Sequence, residues 1–269
     1  MVEIFQNIRK IYTFQSPCEE LTDHVEFFSE SSPDATKQYI SGRYFSVKMF
    51  ASWTPTFYIN LGAPYEILVG GKRHFIAADE DILILRNSIV ERYNTPTDNI
   101  FTVKFYPGSL EAVLNIKQAL LADQVISLRE ILPTALLNQI KQPVGFEERV
   151  GLMQNYLLNQ YRTPQDYYVK FVKDAIDNFS QTGLQFTTGH LAERMFTTSK
   201  TINRYFNQVI GTSPKNYFSI LRARTALTQY VGNRSEFVPY HYGYYDMSHF
   251  YKDVVKFTGR KVTANLGEK

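Results

Sequence analysis

Three polar side chains within five residues have the chemistry needed to recognise DNA bases. Asn203 follows Lys200 by three residues and Arg204 comes directly after it. An Arg or Lys side chain can donate to guanine O6 and N7, and Asn can form two bonds with adenine N6 and N7. A correct pair of this kind discriminates against a wrong base by ~1–3 kcal/mol. On an isolated helix the same residues would be an ordinary solvated face, so the surrounding elements decide the interpretation.

The residues around these three predict a tight pair of helices. Apolar side chains recur at i, i+3, i+4 and i+7 between Ile202 and Val209, which is the stripe of an amphipathic helix. Thr198 or Ser199 can cap its N-terminus, and Gly211 can end it in the left-handed conformation. The segment Leu191–Met195 has the spacing of a short preceding helix. A second helix with a basic, amide-bearing face is the arrangement that major-groove recognition requires.

A wider set of residues agrees with this arrangement between Leu191 and Leu227. The set consists of Leu191-Ala192, Ile202, Arg204, Phe206, Gly211, Ser213-Pro214, Tyr217, Arg222 and Ala226. In their order and spacing these residues resemble the first helix-turn-helix of AraC/XylS-type transcription regulators. A weaker second copy, from Gly243 to Gly259, resembles the second helix-turn-helix of that family. The resemblance implies two recognition helices that enter successive major grooves, ~34 Å apart on B-DNA.

The resemblance also implies which side chains contact DNA. They are Thr198, Ser199, Lys200, Thr201, Asn203 and Arg204 in the first unit, and Met247, Ser248, Tyr251 and Lys252 in the second. The second unit departs from the family, because Val238-Pro239 stands where an Ile-Ala pair is usual and proline is tolerated only in the first turn of a helix. Lys261-Val262 and Ala264-Asn265 differ as well. Two interpretations of the second unit therefore stay open: non-specific DNA binding, or packing support for the first unit.

Residues 1–108 have a different pattern, in which short β-prone runs alternate with turn signals. The runs are Tyr44–Phe50, Thr56–Asn60, Glu66–Val69 and Ile82–Leu85. Gly70-Gly71, which follows one of these runs, predicts a two-residue hairpin. Many short strands at this spacing predict a sandwich or small barrel. The family resemblance implies a cupin-like N-terminal domain that serves as a sensor, a dimerisation module or both.

Residues 109–163 have a helical pattern. Leu, Ile, Val and Met recur every three or four residues in the segments Ser109–Ile116, Val125–Leu132, Thr134–Ile140 and Phe146–Tyr161. This stretch either packs on its own barrel or pairs with a second subunit in a homodimer. Thr163-Pro164 is the predicted boundary before the last domain, because proline disfavours helix in its predecessor.

The predicted fold class is therefore α+β with several domains. Residues 1–108 form a mostly-β cupin-like barrel used for sensing or dimerisation, and residues 109–163 form a helical connector or dimerisation segment. Residues 164–269 form an all-α DNA-binding domain with two helix-turn-helix units.

Charge is distributed unevenly along the 269 residues. Residues 1–165 contain 15 Lys and Arg against 18 Asp and Glu, a balance of −3, whereas residues 166–269 contain 14 against 8, a balance of +6. The positive half coincides with the helix-turn-helix pattern and suits phosphate contact.

Cys18 is the only cysteine, which excludes an intramolecular disulfide framework and a cysteine-cluster zinc site. The sequence shows no apolar signal region and no long apolar run, so we expect a cytoplasmic protein without a membrane partner.

Signatures of enzymes do not occur in the sequence. There is no P-loop, glycine-rich dinucleotide fingerprint, nucleophile elbow or His-Glu-x-x-His. His24 and His74 are not paired as in metal-binding cupins, so we predict no metal and no cofactor. The barrel interior could still hold a small-molecule effector. Its candidate ligand-binding residues are Trp53, Tyr58, Tyr65, His74, Arg86 and Arg92.

These observations together predict a transcription regulator that is not an enzyme. It would bind double-stranded DNA at specific sequences, and its N-terminal domain would respond to a small molecule or a partner. Two alternatives stay open at this stage. One is a helical protein-interaction module that does not bind DNA, and the other is a cupin-type enzyme fused to a helical domain, which would require bound metal.

Overall fold

The computed structural model describes residues 8–40, 42–161, 167–185, 187–259 and 261, with side chains from residue 10 onward. The strands are β1 (Tyr12–Gln15), β2 (Val25–Ser31), β3 (Phe45–Met49), β4 (Pro55–Asn60), β5 (Tyr65–Val69), β6 (Lys72–Ile76), β7 (Ile82–Leu85), β8 (Val90–Asn94), β9 (Ile100–Phe105) and β10 (Val125–Ser127). The helices are α1 (Ile8–Ile11), α2 (Pro33–Tyr39), α3 (Ser109–Leu114), α4 (Thr134–Ile140), α5 (Phe146–Gln160), α6 (Tyr167–Gln181), α7 (Thr188–Arg194), α8 (Ser199–Val209), α9 (Pro214–Gly232) and α10 (Met247–Thr258). Short 3-10 turns lie at Glu19–Leu21, Gln118–Leu121, Leu128–Glu130, Arg234–Glu236 and Pro239–Tyr242. Thr163-Pro164, Val262 and Ala264-Asn265 lie outside the described residues.

The strands of the N-terminal half form two antiparallel sheets. One has six strands in the order β1-β2-β9-β4-β7-β10, and the other has four in the order β3-β8-β5-β6. Val47 and Ile67 of the smaller sheet share an apolar cluster with Ile84 of the larger one, so the sheets pack face to face. Every residue of β4, β7 and β9 is buried, because these strands lie inside the larger sheet with both faces covered. This architecture confirms the predicted mostly-β N-terminal fold.

The predicted hairpin at Gly70-Gly71 joins β5 to β6. Val69 pairs with Lys72, which leaves a loop of two residues. The two glycines have φ values of +54° and +77°. A two-residue turn with positive φ at both positions matches the right-handed twist of the strands, and glycine adopts it without steric cost.

One segment with a helical pattern has a different structure. Residues Val125–Leu132 contain strand β10 and a 3-10 turn over Leu128–Glu130 instead of the predicted helix. Val125 pairs with Ile84 of β7 at the edge of the larger sheet. The β-branched residues of this segment suit an edge strand, and the gain from sheet pairing outweighs their helix-like spacing. The rest of the predicted helical stretch forms α3, α4 and α5.

The helices of this stretch pack on the barrel of their own chain. Phe146 of α5 meets Phe101 of β9 with 6.2 Å between ring centroids. Arg149 of α5 donates to both carboxylate oxygens of Glu30 in β2, each at 3.1 Å, and to the carbonyl of Ile140 at 2.8 Å. These contacts occupy the inward faces of the helices. Pairing with a second subunit stays a prediction.

Helices α6 to α10 make up the described C-terminal half. The inner face of α6 includes Phe179, which stacks on Phe218 of α9 with 4.1 Å between ring centroids. Helix α9 begins as predicted, with the side chain of Ser213 accepting from the backbone of Asn216 and with Pro214 at the first helical position. It spans 19 residues and connects the two helix-turn-helix units. Among the described residues, no helix has both the length and the apolar character that crossing a membrane requires.

One cluster of buried apolar side chains runs through both halves of the chain. It includes Phe57 and Phe105 of the larger sheet, Val150 of α5, Phe206 of α8 and Phe250 of α10. The smaller cluster between the two sheets is separate from it. The helical C-terminal half is therefore packed against the β-rich half through a common core.

Candidate nucleic-acid interface

The first helix-turn-helix unit consists of α7, a turn and α8. Leu191 of α7 and Ile202 and Phe206 of α8 are fully buried, so the predicted apolar stripe holds the two helices together. Thr198 Oγ1 accepts a hydrogen bond from the backbone N–H of Thr201 at 3.1 Å, which makes Thr198 rather than Ser199 the N-cap. The unit therefore has the rigid framework that a DNA-reading helix needs.

The polar face of α8 turns away from this core. Lys200, Asn203 and Arg204 are all exposed, and α8 contains no acidic residue. The Asn203 side chain donates to the carbonyl of Ser199 at 3.3 Å. The Arg204 guanidinium lies 4.9 Å from the centroid of the Tyr205 ring and donates to the Tyr205 hydroxyl at 3.2 Å. The structure thus brings the three predicted base-reading residues together on one accessible surface.

Two further side chains extend this surface and are absent from the predicted set. Asn207 and Gln208 are exposed one turn beyond Asn203 and Arg204. Asn207 donates to the carbonyl of Asn203 at 2.7 Å. Their spacing was visible in the sequence, since residues four apart lie on the same side of a helix. We call Lys200, Asn203, Arg204, Asn207 and Gln208 the reading face.

The turn before α8 contains an aromatic residue with an unusual backbone. Phe196 is 98% exposed and has a φ of +51°. For a residue with a Cβ atom this left-handed conformation costs ~1–2 kcal/mol. Its ring recovers little of that cost through packing, because almost all of the residue is in contact with solvent.

The second unit has a regular recognition helix but an irregular first element. Asp246 caps α10, its Oδ1 accepting from the backbone N–H of His249 at 2.7 Å. The 3-10 turns Arg234–Glu236 and Pro239–Tyr242 stand where the first helix of a helix-turn-helix unit would lie. Pro239 removes a backbone donor and holds Val238 extended, with φ −116° and ψ 111°. The departure from the family at Val238-Pro239 therefore has a direct structural effect.

The side chains that α10 offers are less suited to base reading than those of α8. Ser248 and Lys252 are exposed, and Met247 is half-buried. Tyr251 is only 37% exposed, with its hydroxyl 3.4 Å from that of Tyr230. Among the predicted contact residues of α10, Lys252 alone carries a positive charge.

Four of the predicted ligand-binding residues meet in the barrel, where side chains fill the space. Arg92 forms a buried ion pair with Asp98 at 3.1 Å. Its guanidinium lies 5.6 Å from the ring centroid of Tyr58 and 5.5 Å from that of Tyr65. Arg86 donates to the Tyr58 hydroxyl at 3.1 Å. The void that Tyr58, Arg86 and Arg92 help to line is about 20 Å³, far below the ~300–1,000 Å³ usual for ligand pockets.

The other two predicted ligand-binding residues lie elsewhere. His74 is half-buried on β6, opposite Ile67. Trp53 is buried against the end of α8, with its Cζ3 3.3 Å from the point where a Cβ on Gly211 would stand. No local pattern in the sequence indicates this position of Trp53, because it depends on how the two halves dock.

A cleft of about 420 Å³ lies between the two halves. The N-terminal half contributes Asp23, His24, Glu26 and Tyr106, and the C-terminal half contributes residues of α6 and α9. Lys173 and Asp23 form an ion pair at 2.5 Å across the cleft, and Arg224 and Glu26 form another at 2.7 Å. Both cations that line the cleft are thus held by carboxylates of the opposite half.

The titratable groups of the cleft are shifted by identifiable causes. The hydrogen bond from Lys173 lowers the pKa of Asp23. Burial lowers the pKa of His24 and so favours its neutral form. Burial raises the pKa of Asp177, whose carboxylate lies on α6 at the rim. Among the described residues, no group of three or more His, Cys, Asp or Glu side chains could hold a metal ion.

Comparisons with known proteins agree with the geometry of the C-terminal half. Residues 191–264 match a family model described as a helix-turn-helix domain. No curated protein sequence matches the chain. ToxT from Vibrio cholerae is similar over 84% of this chain and 100% of its own, at 9% identity and a TM-score of 0.50. ToxT from Vibrio cholerae O395 is similar over 84% of this chain and 98% of its own, at 11% identity and a TM-score of 0.48. The AraC-like transcriptional activator CuxR is similar over 83% of this chain and 89% of its own, at 10% identity and a TM-score of 0.35.

The likeness to ToxT covers both halves of the chain and shows the two-part fold. The matched helix-turn-helix residues include the whole of α8, α9 and α10, and thus the reading face. The predicted family resemblance is confirmed. The chain carries an AraC-type helix-turn-helix domain at residues 191–264 and is a DNA-binding transcription regulator.

Proposed function

We propose that this regulator recognises specific operator sequences mainly through α8. The observation that carries the proposal is the reading face, in which two cations and three amides are exposed on one side of a capped helix without an acidic residue. Residues 164–269 would act as the DNA-binding domain and the preceding residues as the regulatory part. The protein would act by binding DNA and not by catalysis, and it would do so in the cytoplasm.

The side chains of α8 have distinct roles in this proposal. Asn203 would turn from the Ser199 carbonyl to make two bonds with an adenine edge. Lys200 would donate to guanine O6 or N7. Arg204 keeps free N–H donors while it contacts the Tyr205 hydroxyl, since a guanidinium has five. Thr198, Ser199 and Thr201 at the helix start would contact phosphates, which fix the position of the helix but carry no sequence information.

Helix α10 would enter the next major groove with weaker sequence preference. Lys252 would contact a phosphate, and Met247, Ser248 and Tyr251 would lie along the groove wall. This division of roles follows from the single charge among those four positions. Each phosphate contact that is lost reduces the slope of log K against log salt by ~0.9.

Quantitative binding to selected DNA tests the roles of both helices. A site is first selected from random-sequence DNA with the full chain. We expect Asn203→Ala and Lys200→Ala each to reduce discrimination against one changed base pair by ~5–150-fold, the equivalent of 1–3 kcal/mol. Lys252→Ala should weaken binding to all sequences and lower the salt slope. Lys72→Ala, an exposed lysine of β6, is the control. Wild-type discrimination in both α8 variants would refute the proposal.

A second proposed function is the binding of a small effector in the cleft rather than in the barrel interior. The cleft has the volume usual for ligand sites and lies between two domains, where such sites are common. An anionic effector would have to displace Asp23 from Lys173 or Glu26 from Arg224. The carboxylate of Asp177 would instead favour an amine. We therefore propose an uncharged or amine-bearing effector with a largely apolar body.

Native mass spectrometry of the full chain, purified under non-denaturing conditions, tests effector binding. Ser180→Trp places a large ring at the rim of the cleft, where Ser180 is exposed. Ser235→Trp makes the same change at an exposed position that does not line the cleft. We expect a co-purifying small molecule in the wild type and in Ser235→Trp, and none in Ser180→Trp. A bound molecule that survives Ser180→Trp, or a wild type without one, contradicts the cleft assignment.

A further inference from the structure

The connection from β3 to β4 is a buried segment that passes from one sheet to the other. All five of its residues, Phe50 to Thr54, are buried, although connections usually run over the surface. The backbone N–H groups of Ser52 and Trp53 both donate to the carbonyl of Arg86 at 2.9 Å. Trp53 has a φ of +53°, a strained conformation for a residue with a Cβ atom. We call residues 50–54 the crossing segment.

One end of the crossing segment touches the C-terminal end of α10. The Phe50 ring lies 6.3 Å from the Phe257 ring, centroid to centroid, and both residues are buried. Just beyond them, a Cβ on Gly259 would stand 3.3 Å from Lys48 Nζ and 3.4 Å from Ile89 Cδ1. The end of α10 is therefore seated closely on the N-terminal half.

The other end of the crossing segment touches the C-terminal end of α8. Trp53 packs against Gly211, directly after α8. Gln118, which is fully buried, donates to the carbonyl of Trp53 at 3.1 Å and to that of Ile210 at 3.0 Å. Its Oε1 accepts from the backbone N–H of Gly108 at 2.6 Å. One amide side chain thus ties the end of α8 to the crossing segment.

The two contacts lie close together on the N-terminal half. Phe50 and Trp53 are separated by three peptide links, so their Cα atoms are at most ~11 Å apart. Each recognition helix is a rigid body whose C-terminal end is fixed at one of these contacts. Helix α9 also connects the two units, but it joins α8 and α10 at other points.

We propose that the crossing segment sets the distance and relative orientation of α8 and α10 and so determines the spacing of the two DNA contacts. Phe50 and Trp53 are positioning residues in this role, because they act through the recognition helices and not on DNA. Ser52, which lies between Phe50 and Trp53, and Thr54, which follows Trp53, both line the cleft. An occupant of the cleft would therefore touch the element that positions both helices.

Hydroxyl-radical footprinting of the full chain on a site selected from random DNA tests the proposal. This readout reports phosphate protection and does not require that α10 read bases. The wild type should protect two patches at a fixed separation. Phe50→Leu and Phe257→Leu change the two sides of one contact. Each should reduce the protection under α10 about tenfold or shift the protected patch by a base pair, while the protection under α8 persists. Trp53→Leu should disturb the patch under α8.

Phe28→Leu is the matched control for these substitutions. Phe28 is equally buried but stacks on Phe101 within the N-terminal half. It should lower the melting temperature by a similar amount and leave both patches unchanged. Any of three results overturns the proposal: a wild type with a single patch, Phe50→Leu and Phe257→Leu with the wild-type pattern, or Phe28→Leu with the same change in pattern.

Discussion

Replacement of Glu26 by Gln tests how strongly buried charges join the two halves of the chain. Glu26 Oε1 accepts from Arg224 of α9 at 2.7 Å, and its Oε2 lies 3.2 Å from Lys104 Nζ in β9. The Lys104 side chain is 1% exposed, and those of Glu26 and Arg224 are 15% and 18% exposed. The substitution keeps the shape of the side chain and removes the negative charge between the two cations.

The pKa of Glu26 gives the size of the effect. Burial alone raises the pKa, but Lys104 and Arg224 outweigh it and bring the pKa from its usual 4.5 to about 2. At 1.36 kcal/mol for each step of one in pKa, the fall corresponds to about 3 kcal/mol. Breaking a buried ion pair by removing one partner has a similar cost, ~3–5 kcal/mol. We expect Glu26→Gln to lower the free energy of unfolding by about 3 kcal/mol at pH 7.

The effect depends on pH with a definite sign. The pKa is lower in the folded state, so the stabilisation is complete above pH 4.5 and is lost as the pH falls towards 2. The difference between wild type and Glu26→Gln should therefore shrink to less than half at pH 3. Urea unfolding followed by the fluorescence of Trp53, the only tryptophan, measures both values.

Glu66→Gln is the control for this substitution. Glu66 pairs with Arg73 at 2.9 Å, but both side chains are about half exposed, at 47% and 61%. Exposed pairs of this kind contribute ~0–1 kcal/mol. The reasoning would be refuted if Glu26→Gln cost no more than Glu66→Gln, or if its cost at pH 3 equalled that at pH 7.

Two further predictions concern the junction of the halves and the helix caps. Gly108→Ala places a Cβ 2.7 Å from Val209 Cγ1, whereas Gly71→Ala, at nearly the same φ (+79° against +77°), meets no atom within 4 Å. In both variants the left-handed backbone lowers the free energy of unfolding by ~1–2 kcal/mol, and in Gly108→Ala overpacking should lower it by a further ~1–3 kcal/mol. Equal losses for the two variants in urea unfolding would show that the junction yields easily. Thr198→Ala removes the cap of α8 and Asp246→Ala that of α10, so each should cost ~1 kcal/mol in the same assay, and an unchanged stability would mean that water replaces the cap.

The C-terminal half could be predicted from the sequence because its signals are local. The apolar stripe from Ile202 to Val209, the cap at Thr198 and the Ser213-Pro214 start of α9 each depend on residues a few positions apart. The reading face was predicted in part for the same reason. Asn207 and Gln208 have the spacing of the same helix face, but the predicted set follows the family positions and ends at Arg204.

The N-terminal half was less predictable because its partners are distant in sequence. Lys104 is fully buried in β9, where it forms an ion pair with Glu26, a residue 78 positions earlier in the sequence. The strand at Val125–Ser127 depends on a free edge of β7. The position of Trp53 depends on the docking of α8, which no pattern within residues 1–108 contains.

The core that the two halves share also affects how the chain is made and destroyed. Phe50 and Trp53 come early in the chain, but Gly211 and Phe257, which cover them, are synthesised only after the whole N-terminal half. A nascent chain therefore carries an uncovered apolar surface until α8 and α10 emerge, and we expect it to need protection from aggregation during that time. In the folded protein the two halves should unfold in a single thermal transition, and proteases should not release an intact DNA-binding fragment. Degradation that begins in either half would then remove DNA binding and the proposed effector binding together.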